Sequence, residues 1–256
     1  MRDADAARAF AAEHAHYTDD LPLWRAVARE RGGPVLDLGC ATGRVAVELA
    51  GDGADVWALD GDPHMLSELR RLAGARGAHV AARIHAVAGD MRDFSLDVRF
   101  PLAICAMNTL QVLTEPADQL ACLERVRAHL ADGGEFWFDV SMPDVADILD
   151  AMGLVRADAE HADPSMGERW LHSSWYEAYD PVTQTAAYCL RVDHVAADGI
   201  TRTSVRRHEV HLYTPSELAH LLARAGFGVL EAWGGFAGEP LGDGAGHQVY
   251  RCGVAE

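Results

Sequence analysis

Lysine is absent from this chain of 256 residues, so all 22 basic side chains are arginines. Against them stand 39 aspartates and glutamates, for a formal net charge of −17. A chain this acidic repels phosphate backbones and anionic lipid surfaces, which argues against nucleic-acid and membrane partners. Long apolar runs are missing too: no stretch approaches the about 18 residues that a bilayer-spanning helix needs. The opening MRDADAARAFAAEHAHY carries acids where a secretion signal needs a basic start and an apolar stretch. Cysteine is sparse, with five scattered residues (Cys40, Cys105, Cys122, Cys189, Cys252). Odd in number and never in a C-x-x-C pair, they point to reduced thiols and away from a disulfide framework or a zinc ribbon. The expectation is a cytoplasmic protein. The lysine-free usage, rich in alanine, arginine and glycine, fits a G+C-rich genome and carries no functional content.

What is present is a rhythm of strands and helices. Residues 1–31 read as two helical pieces split by a turn at 18–22, with Thr18, Asp19 or Asp20 as the second cap. After Gly32-Gly33-Pro34 comes a short apolar run, 35–38, then a helix over 42–50, a strand over 55–59 and a helix over 63–76. Strands at 83–88, 102–107 and 135–140 follow, with a helix over 115–130 before the last of them. Alternation of this kind implies a parallel sheet covered on both faces, and right-handed crossovers make it doubly wound. After a helix near 144–152 the pattern changes to alternating residues broken at Tyr179-Asp180-Pro181 and Ala197-Asp198-Gly199. These turns predict three antiparallel strands, roughly 168–178, 184–195 and 200–213. A helix over 215–224 capped by Thr214 and two strands near 227–233 and 246–253 complete the chain. The expected organisation is an N-terminal helical lid (1–31), a Rossmann-like domain (32–153 with 214–256) and an antiparallel excursion (154–213).

The most informative segment is VLDLGCATGRVAVELA. A strand ends near Asp37, glycines stand at Gly39 and Gly43, and a helix begins. Glycine lets the backbone turn and approach a ligand, and a helix N-terminus offers free N–H groups to an anionic group. Asp60 adds weight: it closes the second strand 21 residues past Gly39, where a carboxylate can accept both hydroxyls of a ribose.

Five segments in order, VLDLGCATGR, ALDGDPHML, VAGDMRDF, FPLAICAMNTLQVL and HLADGGEFWFDV, resemble those of a class I S-adenosylmethionine-dependent methyltransferase. The likeness is to the small-molecule type that carries an antiparallel excursion after the fifth strand, and it runs from about residue 17 to 252. It implies a seven-stranded, mostly parallel sheet with an antiparallel last strand, S-adenosyl-L-methionine as cofactor and S-adenosyl-L-homocysteine as product. By resemblance, Asp37, Gly39, Cys40, Ala41 and Gly43 form the wall along the methionine part. Asp60, with Gly61 and Met65, takes the ribose side, and Asp90 with Met91 the adenine. Asn108, where the fourth strand ends, falls beside the sulfonium and the acceptor, and Tyr17 matches a lid tyrosine. One departure is Ala41, which stands where the family's loop has its middle glycine.

Methyl transfer is an in-line displacement, so such a protein chiefly aligns the reactants and excludes water. An acceptor hydroxyl or protonated amine also needs a base, and among thirteen histidines His208 and His211 stand on the third excursion strand. A spacing of three puts them on opposite faces, so at most one points inward, and it argues against a metal pair. Trp170, Trp175, Tyr176, Tyr179, Tyr188 and Tyr213 are expected to pack the excursion, with one or two lining an acceptor pocket. Asp139 and Met142 lie at the edge that faces the acceptor. The expected activity is methylation of an O or N atom of a small molecule, such as a secondary metabolite, by a monomer or homodimer. Two rivals stand beside it. A nicotinamide oxidoreductase would need a third glycine where Ala46 stands. A protein that binds the same cofactor without methylating would share every motif.

Overall fold

The computed structural model describes residues 3–163 and 167–255. Two helices, α1 (Asp3–His14) and α2 (Leu21–Arg31), precede the sheet. Asp20 occupies the N-cap of α2 but makes no capping bond. It is fully buried, and its carboxylate accepts from the Trp24 indole at 2.8 Å and from Arg44.

The alternation that follows is β1 (Val35–Leu38), α3 (Arg44–Gly51), β2 (Val56–Asp60), α4 (Pro63–Arg76), α5 (Ala78–Ala81) and β3 (Ile84–Ala88). Then come β4 (Phe100–Cys105), a 3-10 turn (Thr109–Val112), α6 (Pro116–His129) and β5 (Leu130–Ser141). After α7 (Val145–Asp150) run β6 (Arg156–Asp163), β7 (Glu168–Asp180), β8 (Thr185–Val195) and β9 (Thr201–His211). The chain returns through α8 (Pro215–Arg224), β10 (Phe227–Trp233) and β11 (His247–Val254).

Seven strands form one sheet in the order β10-β11-β5-β4-β1-β2-β3, and β11 runs against its neighbours β10 and β5. This is the expected doubly wound architecture with an antiparallel last strand. The order reverses between β1 and β4, so a crevice opens at their carboxyl ends, where ligands of open α/β sheets bind.

Alternation along each strand divides the core. Leu36 and Leu38 of β1 face α6 and α8 together with Cys105, Phe136 and Phe138. Val35 and the alternate residues Leu102, Ile104 and Trp137 face α2, α3 and α4. Asp37 and Asp139 fall in the second set by parity, so two carboxylates lie on an otherwise apolar face of the sheet.

The excursion holds four strands, in the order β6-β7-β8-β9, where three were expected. The added strand, β6, has the polar sequence RADAEHAD, with no apolar alternation to announce it. Its order comes from pairing along β7, whose backbone groups would otherwise form an exposed edge. The short helix α5 was also unannounced, and it starts directly at Gly77, which ends α4. No described helix is long and apolar enough to cross a membrane.

Thr214 caps α8 as expected, in a reciprocal box with Glu217. The same Glu217 takes Gln184 and His211, so this cap joins the small sheet to the large one. Thr214→Ala should cost about 1 kcal/mol of unfolding free energy, read as a lower urea midpoint at constant slope. An unchanged midpoint would show that the cap contributes nothing to that joint.

Candidate active site at the carboxyl ends of the central strands

The turn from β1 into α3 is built from left-handed residues. Gly39 has φ +66 and Gly43 φ +82, and a Cβ on Gly39 would collide with Thr109 Cγ2, which the β4 loop brings over the crevice. A Cβ on Gly43 would meet Leu69 of α4. Ala41 between them also has positive φ, +47, a conformation that disfavours any side chain. The chain holds it there: the Ala41 N–H donates to Asp60 Oδ2 at 2.8 Å, and the Asp62 N–H donates to Oδ1 at 2.8 Å. Burial raises the Asp60 pKa above its ordinary value. Gly43 caps α3 without a side-chain bond, so that, apart from the Ala46 N–H taken by Asp37, the first-turn N–H groups of that helix are left for another partner.

Asp37 lies buried beneath this turn, and its Oδ2 has no hydrogen-bond partner. Burial pushes its pKa up to about 7, with Arg44 and the Ala46 N–H opposing and Asp60 reinforcing the shift. Asp139, at the end of β5, is buried as deeply. It accepts from the Met107 N–H at 2.6 Å and from the Asn108 N–H at 3.2 Å. Burial carries its pKa to about 7 as well, against those two bonds. Cys40 is buried, and its thiol is pushed well above the ordinary range for the same reason.

Arg44, the first residue of α3, ties the N-terminal segment to this loop. Its guanidinium donates to both oxygens of Asp20, each at 2.6 Å, and to the Tyr17 carbonyl at 3.0 Å. It also lies 5.0 Å from the centroid of the Tyr17 ring. A cation at a helix N-terminus opposes the helix dipole, so this arginine is placed for its partners and not for the helix. Burial raises the half-buried Tyr17 phenol, and the charges of Asp20 and Asp139 add to the shift. His247, at the start of β11 and in register with Ser141 of β5, has its pKa lowered by burial, while Asp20 and Asp19 act to raise it.

The remaining candidates fall into two groups. Gly61 and the half-buried Met65 lie beside Asp60 at the entry to α4. Asp90 is exposed at the end of β3 and held by Arg92, which lowers its pKa, while Met91 packs on the core and would touch a Cβ on Gly39. These stand around the same crevice as Asn108. The two histidines belong elsewhere. His211 is buried, with Nε2 2.7 Å from Glu217 Oε1, and its ring is committed to the joint with α8. His208 turns to the other face, stacked on Tyr188, and burial lowers its pKa. A pocket of about 600 Å3 near His211 is lined also by Arg207, Glu209 and Glu217, on the face of the small sheet that His208 does not share.

The aromatics follow the bland expectation for the most part. Tyr213 is in the core, Tyr176 and Tyr179 pack on Ile148, and Trp170 stacks on His194. Tyr188 and His208 instead lie within the field of Glu13 of α1, whose carboxylate also stands 3.5 Å from His172 Nδ1. Sequence reasoning missed Arg44 and the buried role of Asp20. The available signal was the arginine at a helix start, an electrostatic misfit by itself.

The fold, the glycine turn and the strand-end acid make up an α/β sheet whose central strands end in a ligand crevice of the nucleotide-binding kind. Residues 35–134 match the family described as a methyltransferase domain. A cypemycin N-terminal methyltransferase of a Streptomyces species is 29% identical over 211 residues, covering 82% of this chain and 78% of the relative. A dTDP-3-amino-3,6-dideoxy-alpha-D-glucopyranose N,N-dimethyltransferase of Streptomyces fradiae is 28% identical, covering 81% and 74%. The solved structure of Streptomyces venezuelae DesVI superposes with a TM-score of 0.75 at 20% identity, covering 100% of this chain and 99% of that one. The matched domain, these relatives and the shared fold support a class I S-adenosylmethionine-dependent methyltransferase.

The raised pKa values set a sign that can be measured. Asp37 and Asp139 hold protons in the folded chain that the unfolded chain gives up, so ligand-free stability should fall as pH rises from about 4 towards 7. A positively charged cofactor favours the ionised carboxylates, so binding near pH 6.5 (about half a unit below both values) should release protons. Calorimetry with S-adenosylmethionine in two buffers of different ionisation enthalpy reads that release, and Asp37→Asn should reduce it. Equal heats in both buffers would remove Asp37 from the neighbourhood of the cofactor.

Proposed function

We propose that this methyltransferase transfers its methyl group to the nitrogen of a small-molecule amine. The observation that carries the reading is the charge of the site. Asp20, Asp37 and Asp139 are buried there, and Arg44, the cation acting on Asp37 and Asp139, is already paired with Asp20. Such a site favours ligands that are or become positive, namely the sulfonium cofactor and an amine that gains charge as it is methylated. A hydroxyl acceptor must lose a proton to react, and surrounding carboxylates oppose that loss.

The residues present fit the cofactor. The orphaned Asp37 oxygen suits its ammonium, and the uncapped start of α3 suits its carboxylate. Each Asp60 oxygen keeps a second lone pair for the ribose diol beyond its backbone bond. Asp90 and Met91 would take the adenine amine and ring face, with both Asp90 oxygens also accepting from Arg92. Gly39 keeps the wall free of a Cβ. When bound, the cofactor supplies a methyl group on a positively charged sulfur. The protein's share is to bind, orient and exclude water, and Tyr17, fastened by Arg44, forms the lid over the reacting groups.

On the acceptor side, Tyr176, Tyr188 and His208 share one face of the small sheet by register, and the carboxylate of Glu13 acts on Tyr188 and His208. Flat rings beside a carboxylate suit an amine carried on an apolar or ring scaffold. The names of both relatives point the same way, one to a peptide N-terminus and one to an amino sugar. In this reading the enzyme is cytoplasmic, acts on a diffusible secondary metabolite and works as a monomer or homodimer.

Two experiments test this reading. Asp60→Ala should weaken S-adenosylmethionine binding at least about tenfold by calorimetry, the effect of orphaning two hydroxyl hydrogen bonds; unchanged affinity would refute the ribose assignment. Methyl-labelled cofactor should be offered with matched acceptors, an amino sugar nucleotide against its hydroxy counterpart and a peptide with a free against an acetylated N-terminus. Label on the amine of either pair is expected, and label on a hydroxyl would overturn the choice of nitrogen.

A further inference from the structure

We propose that the side-chain oxygen of Asn108 receives the N–H of the acceptor amine, and that Asp139 is the positioning residue that holds it there. The inference rests on the N-methylation reading and gives it an atom.

Asn108 is the chain's one asparagine. It stands just past β4, at the point where the strand order reverses between β1 and β4. Its φ is +59 and that of Met107 is +60, so two successive residues that are not glycine adopt the left-handed conformation. Such a pair persists only where the surroundings impose it, and imposed strain gathers at functional sites. The imposing group is Asp139, whose two oxygens take the N–H groups of these two residues.

Asparagine tolerates this conformation better than most residues, and that alone would account for its presence. Three observations go further. Met107 shares the conformation without being asparagine. The Asn108 side chain makes no cap bond to the 3-10 turn that it precedes. Its Oδ1 is enclosed and has no hydrogen-bond partner. An asparagine kept only for its backbone would leave its amide to water. An enclosed carbonyl oxygen is matched by a ligand that donates, and an amine donates.

The chemistry suits an amide oxygen better than a base. The amine must arrive with its lone pair free. Oδ1 accepts one N–H and fixes the direction of that lone pair without taking the proton. The nitrogen pair then forms the N–C bond as the C–S bond breaks, the C–S pair stays on sulfur, and the extra proton on nitrogen leaves to solvent. Holding Oδ1 in place is the work of Asp139, which acts through Asn108.

The test needs no knowledge of the natural acceptor. Sinefungin carries an amine where the cofactor has its sulfonium methyl, whereas S-adenosylhomocysteine has nothing there. Wild-type protein should bind sinefungin more tightly than S-adenosylhomocysteine by calorimetry. Asn108→Gly, which keeps the left-handed backbone, should cut that preference by about tenfold while S-adenosylhomocysteine binds as before. Asn108→Asp keeps an acceptor oxygen and should retain the preference. Asp139→Asn should lower it partway and speed amide exchange at Met107 and Asn108. An unchanged preference in Asn108→Gly would overturn the proposal, and so would equal weakening of both ligands, which would make Asn108 a cofactor contact. Wild-type protein that binds neither ligand would instead sink the methyltransferase site itself.

Discussion

Three aspartates lie buried near one arginine, and that imbalance organises this protein. Taking carboxylates out of water is costly unless charge or hydrogen bonds compensate. Asp20 is compensated by a two-pronged bond to Arg44 and by the Trp24 indole. Asp139 is compensated by two backbone N–H groups, and Asp37 only in part. The remaining deficit raises the pKa values of Asp37 and Asp139 and leaves the crevice matched to positively charged ligands. A cofactor that carries both an ammonium and a sulfonium would, when bound there, correct the deficit that the fold leaves open.

The architecture makes such a site possible. Parallel strands end at one edge, the order reverses between β1 and β4, and the loops there come from segments far apart in sequence. The pair Asp20–Arg44 draws α2 and Tyr17 onto that edge. Gln111 draws in the small sheet: it donates to the His211 carbonyl and accepts from Ser141 of β5. Buried polar contacts of this kind specify one arrangement where apolar packing alone would allow several. Both covering pieces are thus fastened to the strand ends by hydrogen bonds.

Much of this was legible in the residues. The αβ rhythm, the glycine turn and the strand-end Asp60 all depend on short-range patterns, and the helices over 63–76 and 215–224 fall where the periodicity puts them. The strand β6 was not legible, because its polar residues are ordered by pairing with β7 and not by their own pattern. Asp20, one of three candidate caps, does stand at the N-cap of α2, but its carboxylate is a buried ion partner, which was not legible because Arg44 lies 24 positions away. His208 and His211 were expected on opposite faces, and the register agrees, but only the packing of α8 commits His211 to Glu217.

By itself, then, the sequence determined the class of fold, the cofactor turn and the sign of the charge, because local conformation and composition carry each of these. Only the tertiary structure decided which carboxylates are buried, which of them is paired, and that Asp139 holds Asn108 in a strained conformation. Burial and pairing arise when segments distant along the chain meet, and the energy of a charge depends on what surrounds it far more than on its neighbours in sequence.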